Sequence, residues 1–352
     1  MSLFDMDIKI PVWFGDFGGA ISALELDPAT AAFVAEVEGL LPTARFEKAF
    51  RGVLATVLEG VSDAAAGSAG GARALRRIAG QAGEEVVVAP DLAGFYNVAG
   101  QVALAVCRGE VALASGTYSR AAALAVARAC AACDIALFLV LSRELSHDAE
   151  LVDQLEGMGC TVDATTCDEV YDLPHLNVFN AAKMRGMDAR IFPLVASYGS
   201  YPLPGLAGLL AGVYSYDLLK QIGAPGIAVV PIEDGTEAVG ALRAFVERPL
   251  GAAASAPVIA ATAEYPICQE FHNGETLITR AADRDASNTP ICPELAHWWR
   301  TGSVRRLGCD RLRPVDDAYW KAQRLGDVTA RAVALALELD HAPGTTVLVV
   351  GR

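Results

Sequence analysis

Three stretches of this chain carry side chains whose types and spacing could do chemistry. Ser115-Gly116-Thr117-Tyr118-Ser119-Arg120 gathers four hydroxyls and a guanidinium around one glycine, and contains no carboxylate. Glu233-Asp234-Gly235-Thr236-Glu237 sets three carboxylates within five residues, where a strand gives way to a helix. Oxygen donors at that density suit a hard cation or a basic ligand group; they are also what an ordinary acidic first turn of a helix looks like. In Ser197-Tyr198-Gly199-Ser200-Tyr201-Pro202-Leu203-Pro204-Gly205 the prolines stiffen the chain. Tyr198 and Tyr201 there offer polar handles to a ligand, or simply pack the connection.

The elements that must position these residues read as α/β. From Val86 to Arg120 the order is strand, loop, helix, strand, loop, helix, with a third strand at 135–140. Short apolar runs alternating with Ala-rich helices belong to a parallel sheet covered on both faces, and ligands of such sheets sit beyond the carboxyl ends of the strands. The loops expected at 92–96 and 114–120 are therefore the places for chemistry. Ser146-His147-Asp148-Ala149-Glu150 reads as the cap of a helix that ends at Gly159. Further on, a strand at 190–195, a helix over 206–222, a strand at 226–231, a helix over 237–247 and a strand at 258–263 follow. Before them, helices are expected after Asp27-Pro28 and over 45–58, and Ala64 to Gly71 reads as a hinge.

The chain resembles the tryptophan synthase beta subunit, a fold-type II pyridoxal-phosphate enzyme, at four ordered landmarks. Trp13-Phe14-Gly15-Asp16-Phe17-Gly18-Gly19 is similar to that family's opening signature. Asp91-Leu92 and Gly100-Gln101 are similar to the ends of its cofactor-lysine segment, Pro293-Glu294-Leu295-Ala296 to a late loop-to-helix segment, and Val347 to Arg352 to the closing strand. The resemblance implies two lobes of mostly parallel sheet flanked by helices: 1–50 with 84–200, and 51–83 with 201–352. It also implies a ligand cleft between the lobes and a homodimer.

The family's catalytic parts are replaced. Counting back from Gly100-Gln101 puts Gly94 at the place of the lysine that forms the cofactor's Schiff base, and no lysine lies between Lys48 and Lys183. The run that supplies the family's acid and substrate-carboxylate contacts corresponds to Ala114–Arg120. Its glycine-rich phosphate cup corresponds to Pro231–Gly240, where carboxylates stand instead. A carboxylate about 4 Å from a phosphate charge opposes it by roughly 4 kcal/mol at an effective dielectric near 20. The resemblance implies pyridoxal phosphate; with its anchors missing, no cofactor is expected. Asp283 or Asp285 stands where the family has a switching aspartate, and Thr329 where it has the serine facing the pyridine nitrogen. The function expected is that of a pseudoenzyme, or of a ligand-binding or regulatory protein holding an unknown small molecule. The alternatives are divergent chemistry from Tyr118, Arg120, Glu233, Asp234 and Glu237, or a lyase with a relocated lysine, Lys183 or Lys220.

Composition narrows the partners. A formal charge of −14 argues against nucleic acid, which needs a clustered basic face. The one basic cluster, Arg300 to Arg313, could meet an acidic protein partner or an anion, or be a solvated segment. No apolar run reaches the about 18 residues of a membrane span, so a cytoplasmic protein is expected. The 8 cysteines, including Cys130-x-x-Cys133, lack disulfide or zinc spacing and read as small buried hydrophobes. His147 reads as a surface residue.

Overall fold

The computed structural model describes residues 3–4, 7–11, 28–59, 61, 75–117, 119–163, 190–191, 204–231, 235–247, 258–261, 293–307, 316–339, 341–342 and 344–351. The chain divides into two compact units. The first comprises 1–13, 19–70 and 94–210; the second comprises 14–18, 71–93 and 211–352.

The first unit holds a four-stranded sheet in the order β5-β4-β3-β6, all parallel: β3 is Ala112–Thr117, β4 Ala136–Leu141, β5 Thr161–Asp163 and β6 Arg190–Ile191. Leu113, Leu137, Phe138, Leu139, Val140 and Leu141 are all buried, as strands covered on both faces require. Helix α1, Pro28–Leu40, precedes α2, Ala44–Glu59, whose Phe46, Phe50, Val53, Leu54 and Val57 form one buried stripe. Helix α3, Ala93–Arg108, contributes Tyr96, whose ring lies 6.0 Å from that of Phe50. Arg108 at the end of α3 pairs with Glu36 and lies 4.8 Å from the ring of Phe33, joining α3 to α1. Between β3 and β4 runs α4, Arg120–Ala132; after β4 come the short α5, Arg143–Ser146, and α6, Ala149–Gly157. Helix α7, Pro204–Ile222, packs so closely on α3 that a Cβ at Gly100 would lie 2.7 Å from Leu210 Cδ2, which is why only glycine fits there.

The second unit is built on a six-stranded sheet in the order β1-β2-β10-β7-β8-β9. Its strands are β1 Arg76–Ala79, β2 Glu85–Ala89, β7 Ile227–Pro231, β8 Val258–Ala261, β9 Arg305–Leu307 and β10 Thr346–Val350; only the β1–β2 pair is antiparallel. One face, with Val86, Val88, Ile227, Val229, Val347 and Val349, packs in a single core with α11, Asp327–Leu337, and with Trp320 of α10, Ala318–Ala322. The opposite positions Val87, Ala228, Val230 and Leu348 are equally buried, so both faces are covered. Helix α8, Gly235–Glu247, follows β7, and α9, Pro293–Arg300, packs on α8.

The α/β architecture with mostly parallel sheets is as expected, and five local readings are corrected. Residues 84–93 belong with the second unit and not the first, because β2 finds its parallel partner in β10. Residues 51–70 and 201–210 belong with the first, since α2 buries its stripe there and packs on α4. The segment 92–96 is not a loop: α3 starts at Ala93 and Gly94 lies in its first turn. The segment 114–120 is strand as far as Thr117, not loop, and α4 begins at Arg120. The helix after His147 is capped by Asp148, whose carboxylate accepts from Leu151 N at 3.0 Å, rather than by Ser146.

Candidate functional site

An open parallel sheet binds ligands where its strand order reverses, because the helices on either side then diverge beyond the carboxyl ends of the strands. In the first unit the chain builds outward from β3 to β4 to β5 and then returns to the other side of β3 with β6. The reversal lies between β3 and β6. Their register pairs Leu113 with Arg190 and Ala114 with Ile191. Beyond that, Ser115, Gly116 and Thr117 pair on the β4 side, with Leu139, Val140 and Leu141.

Ser115 is the unusual residue of this edge. It is 1% exposed, and its Oγ has no hydrogen-bond partner among the described residues. A buried hydroxyl left unpaired costs about 1–3 kcal/mol, so folded proteins rarely keep one without a use. Alternation along the strand puts Leu113, Ser115 and Thr117 on one face. Thr117, also buried, accepts from Ser119 N at 3.0 Å through Oγ1. Ser119 in turn caps α4, accepting from Ala122 N at 3.3 Å. The strand-to-helix connection is thus internally satisfied, and Ser115 stands out against it.

Arg120 is not a loose cation. Its guanidinium pairs with Asp148, the N-cap of α6, and reaches Glu150 Oε1 at 3.5 Å. The Leu151 N–H, and then Arg120, hold the Asp148 carboxyl below its ordinary range. The residue therefore joins the starts of α4 and α6.

Around Gly94, the first two turns of α3 carry polar groups that sequence reasoning passed over. Asn97 and Gln101 are buried, and Gln101 Nε2 donates to Asn97 Oδ1 at 2.8 Å. The signal for this pair was available: two amides four residues apart in an otherwise alanine-rich helix face each other. Tyr96, buried against Phe50, was also missed, since an aromatic in a first turn reads as ordinary core.

In the second unit, Thr329 is buried in the first turn of α11. A Cβ on Gly351 would come within 2.4 Å of Thr329 Oγ1, so the hydroxyl lies against the residue that follows β10. Gly351 N donates to Ala89 O at 3.1 Å, placing Thr329 at the carboxyl end of the β2–β10 pair. Gly235, Thr236 and Glu237 open α8, which starts two residues before the expected Glu237. Tyr118, Tyr198, Tyr201, Glu233, Asp234, Asp283 and Asp285 lie outside the described residues. His147 is exposed, and Cys107, Cys130 and Cys160 are buried thiols. Among the described residues no group of three or more metal-ligating side chains comes together. No helix there is long and apolar enough to cross a membrane.

Among the described residues, none supplies the anchor that pyridoxal phosphate needs. Its aldehyde needs a lysine held in the site, and the described lysines lie at the surface. Lys9 is 80% exposed beside Glu38 and Lys220 70% exposed beside Asp217, Lys48 is exposed, and Lys321 is paired with Asp317 and Asp327. Lys183 lies outside the described residues. In the first turn of α3 the position read as the lysine's is Gly94.

No protein-family model matches the sequence, and no curated protein matches it. Solved structures do match. A fungal L-serine ammonia-lyase from Rhizomucor miehei superposes with a TM-score of 0.60 at 13% identity, over 80% of this chain and 94% of that one. A pyridoxal 5'-phosphate-dependent aspartate racemase gives 0.55 at 12% identity over 85% and 94%. The processed form of threonine deaminase isoform 2 from Solanum lycopersicum gives 0.54 at 12% identity over 86% and 84%. At these identities the likeness is one of fold, and the fold is that of the fold-type II pyridoxal-phosphate enzymes.

Proposed function

We propose that this protein uses the fold of the pyridoxal-phosphate enzymes without their cofactor, and binds a small polar ligand at the reversal point between β3 and β6. The observation that carries this reading is Ser115: a buried hydroxyl with no partner, at the place where such sheets take ligands. The surface placement of the described lysines supports the cofactor-free half of it. The similar solved structures are named for L-serine, aspartate and threonine chemistry, and a small amino acid or a related hydroxy acid is the ligand class we favour. The polar groups at hand are Ser115, Thr117 and the Ser119-capped start of α4. A homodimer serving a regulatory role is the assembly we favour.

The test has two arms. Purified protein is scanned for Schiff-base absorbance and treated with borohydride and pyridoxal phosphate, followed by peptide mapping. No lysine should be labelled in the site, and a mapped aldimine, at Lys183 for instance, overturns the cofactor-free reading. Separately, thermal shifts are recorded with a panel of amino and hydroxy acids for wild type and Ser115→Ala. A stabilisation seen in the wild type and lost in the variant is expected. Equal shifts in the two would remove Ser115 from the site.

A further inference from the structure

We propose that Glu294 is a proton-operated latch that sets how firmly α9 is seated on α8 in the second unit. This rests on a different part of the molecule from the ligand site and does not depend on it.

The latch is a cluster of charges in which the carboxylates outnumber the cation. Arg243 of α8 is 1% exposed, and its guanidinium is shared between Glu294 of α9 and Glu247 one turn along α8. Glu247 is 39% exposed and receives a hydrogen bond from the Tyr216 hydroxyl of α7 at 2.9 Å. Glu294 is buried, and while its Oε1 accepts from Arg243, its Oε2 has no hydrogen-bond partner among the described residues. The Trp298 ring, one turn along α9, covers the guanidinium at 5.8 Å. Gly212 of α7 leaves room for the arginine, since a Cβ there would fall 2.3 Å from Arg243 Cδ. Among the described residues, the charged and titratable groups in the cluster with Glu294 are Arg243 and Glu247 from α8 and Tyr216 from α7; the helices also carry His297 on α9 and, on α7, Asp217 paired with the exposed Lys220.

One guanidinium can neutralise one of these two carboxylates. Glu247 keeps contact with water and accepts from the Tyr216 hydroxyl. Glu294 is dry, has an oxygen without a donor and faces a second carboxylate, so the proton is best placed there. Burial pushes its carboxyl up from 4.5 to about 7, against the pull of Arg243.

The sign follows from that direction. When α9 lifts away, Glu294 returns to its ordinary pKa. Between about pH 4.5 and 7 the seated form therefore binds more protons than the lifted form, and seating weakens as pH rises. The effect is complete below the lower value and gone above the upper one. From pH 5 to pH 7.5 the seating equilibrium should weaken on the order of fiftyfold.

The test is hydrogen exchange on the full chain, following the amides of α9 and corrected for intrinsic rates, in wild type, Glu294→Gln and Glu247→Gln. In the wild type, α9 protection should fall about fiftyfold between pH 5 and 7.5. Glu294→Gln should abolish that pH dependence. Glu247→Gln changes a half-exposed residue and so keeps the test available if Glu294→Gln fails to fold. By removing the competing charge it should move the midpoint down by about one unit or more. An α9 profile that stays the same in both variants, or an unmoved midpoint in Glu247→Gln, overturns the latch.

Discussion

Two serines of nearly equal burial should respond oppositely to the same substitution. Ser115 and Ser215 are both buried to within 1% of full burial. The Ser215 hydroxyl is fully used: it donates to Gly212 O at 2.8 Å and accepts from Ala244 N at 2.9 Å, linking α7 to α8. Ser215→Ala removes both bonds, at about 1 kcal/mol each. Ser115 Oγ makes none. Ser115→Ala releases the desolvation penalty of an unpaired hydroxyl, about 1–3 kcal/mol, and loses only the dispersion contacts of one oxygen. The two variants should therefore be separated by about 3–5 kcal/mol, with ligand-free Ser115→Ala more stable than wild type and Ser215→Ala less. Equilibrium urea unfolding measures this as opposite shifts of the midpoint at an unchanged m value. If Ser115→Ala loses stability as Ser215→Ala does, the hydroxyl has a partner in the folded protein, and the case for a ligand at that position fails.

Two further outcomes check other parts of the structure. Burial pushes the Cys130 thiol up to about 12 and Cys160 to about 11. Thiolate is then scarce at pH 8, and both should resist a disulfide reagent in the folded protein while reacting in urea; peptide mapping that finds either one labelled before half-exposed Cys133 contradicts the burial of these two thiols. Gly240→Val should lower the urea midpoint, by about 1–3 kcal/mol in stability, because a Cβ there meets the Cβ atoms of Ala93 and Ala211 at 2.7 Å and the helices carrying them must move apart; an unchanged midpoint would contradict that close approach.

What could be read in the sequence was local periodicity, and what could not was partnership over distance. The strands at Val86–Ala89, Ile227–Pro231 and Val347–Val350 were each legible as short apolar runs. That Val86 pairs with Val347 and Val349 with Val229 was not, because nothing local in a parallel strand specifies its neighbour. The same gap misassigned residues 84–93 to the first lobe. At Ser115–Thr117 a different limit applied. Small hydroxylated residues and a glycine read as a loop by composition, yet the register with Leu139–Leu141 keeps them in strand, since β-sheet position overrides propensity. Arg120 looked like a candidate ligand cation because its counter-charge, Asp148, lies 28 residues away and had been taken for part of a cap led by Ser146.

The features that hold the fold are separate from the positions that the resemblance assigns to catalysis. The sheets are held by valines, leucines and isoleucines facing helices on both sides, and by close helix approaches at Gly100, Gly212 and Gly240. None of those residues is one that the resemblance assigns to catalysis. The resemblance puts a lysine, whose amine would serve a cofactor and not the core, at the position of Gly94, and a glycine there leaves the β2-to-α3 connection intact. What changes is the local polarity. The first turns of α3 carry a buried Asn97–Gln101 pair, and β3 carries the unpaired Ser115, so polar groups persist in the interior of the first unit. The Asn97 and Gln101 amides pair with each other, whereas keeping the Ser115 hydroxyl buried without a partner among the described residues is unfavourable unless a ligand pairs with it. That energetic argument supports the ligand binding proposed above over a scaffold with an idle site, and the Ser115→Ala comparison, made with and without ligand, separates the two.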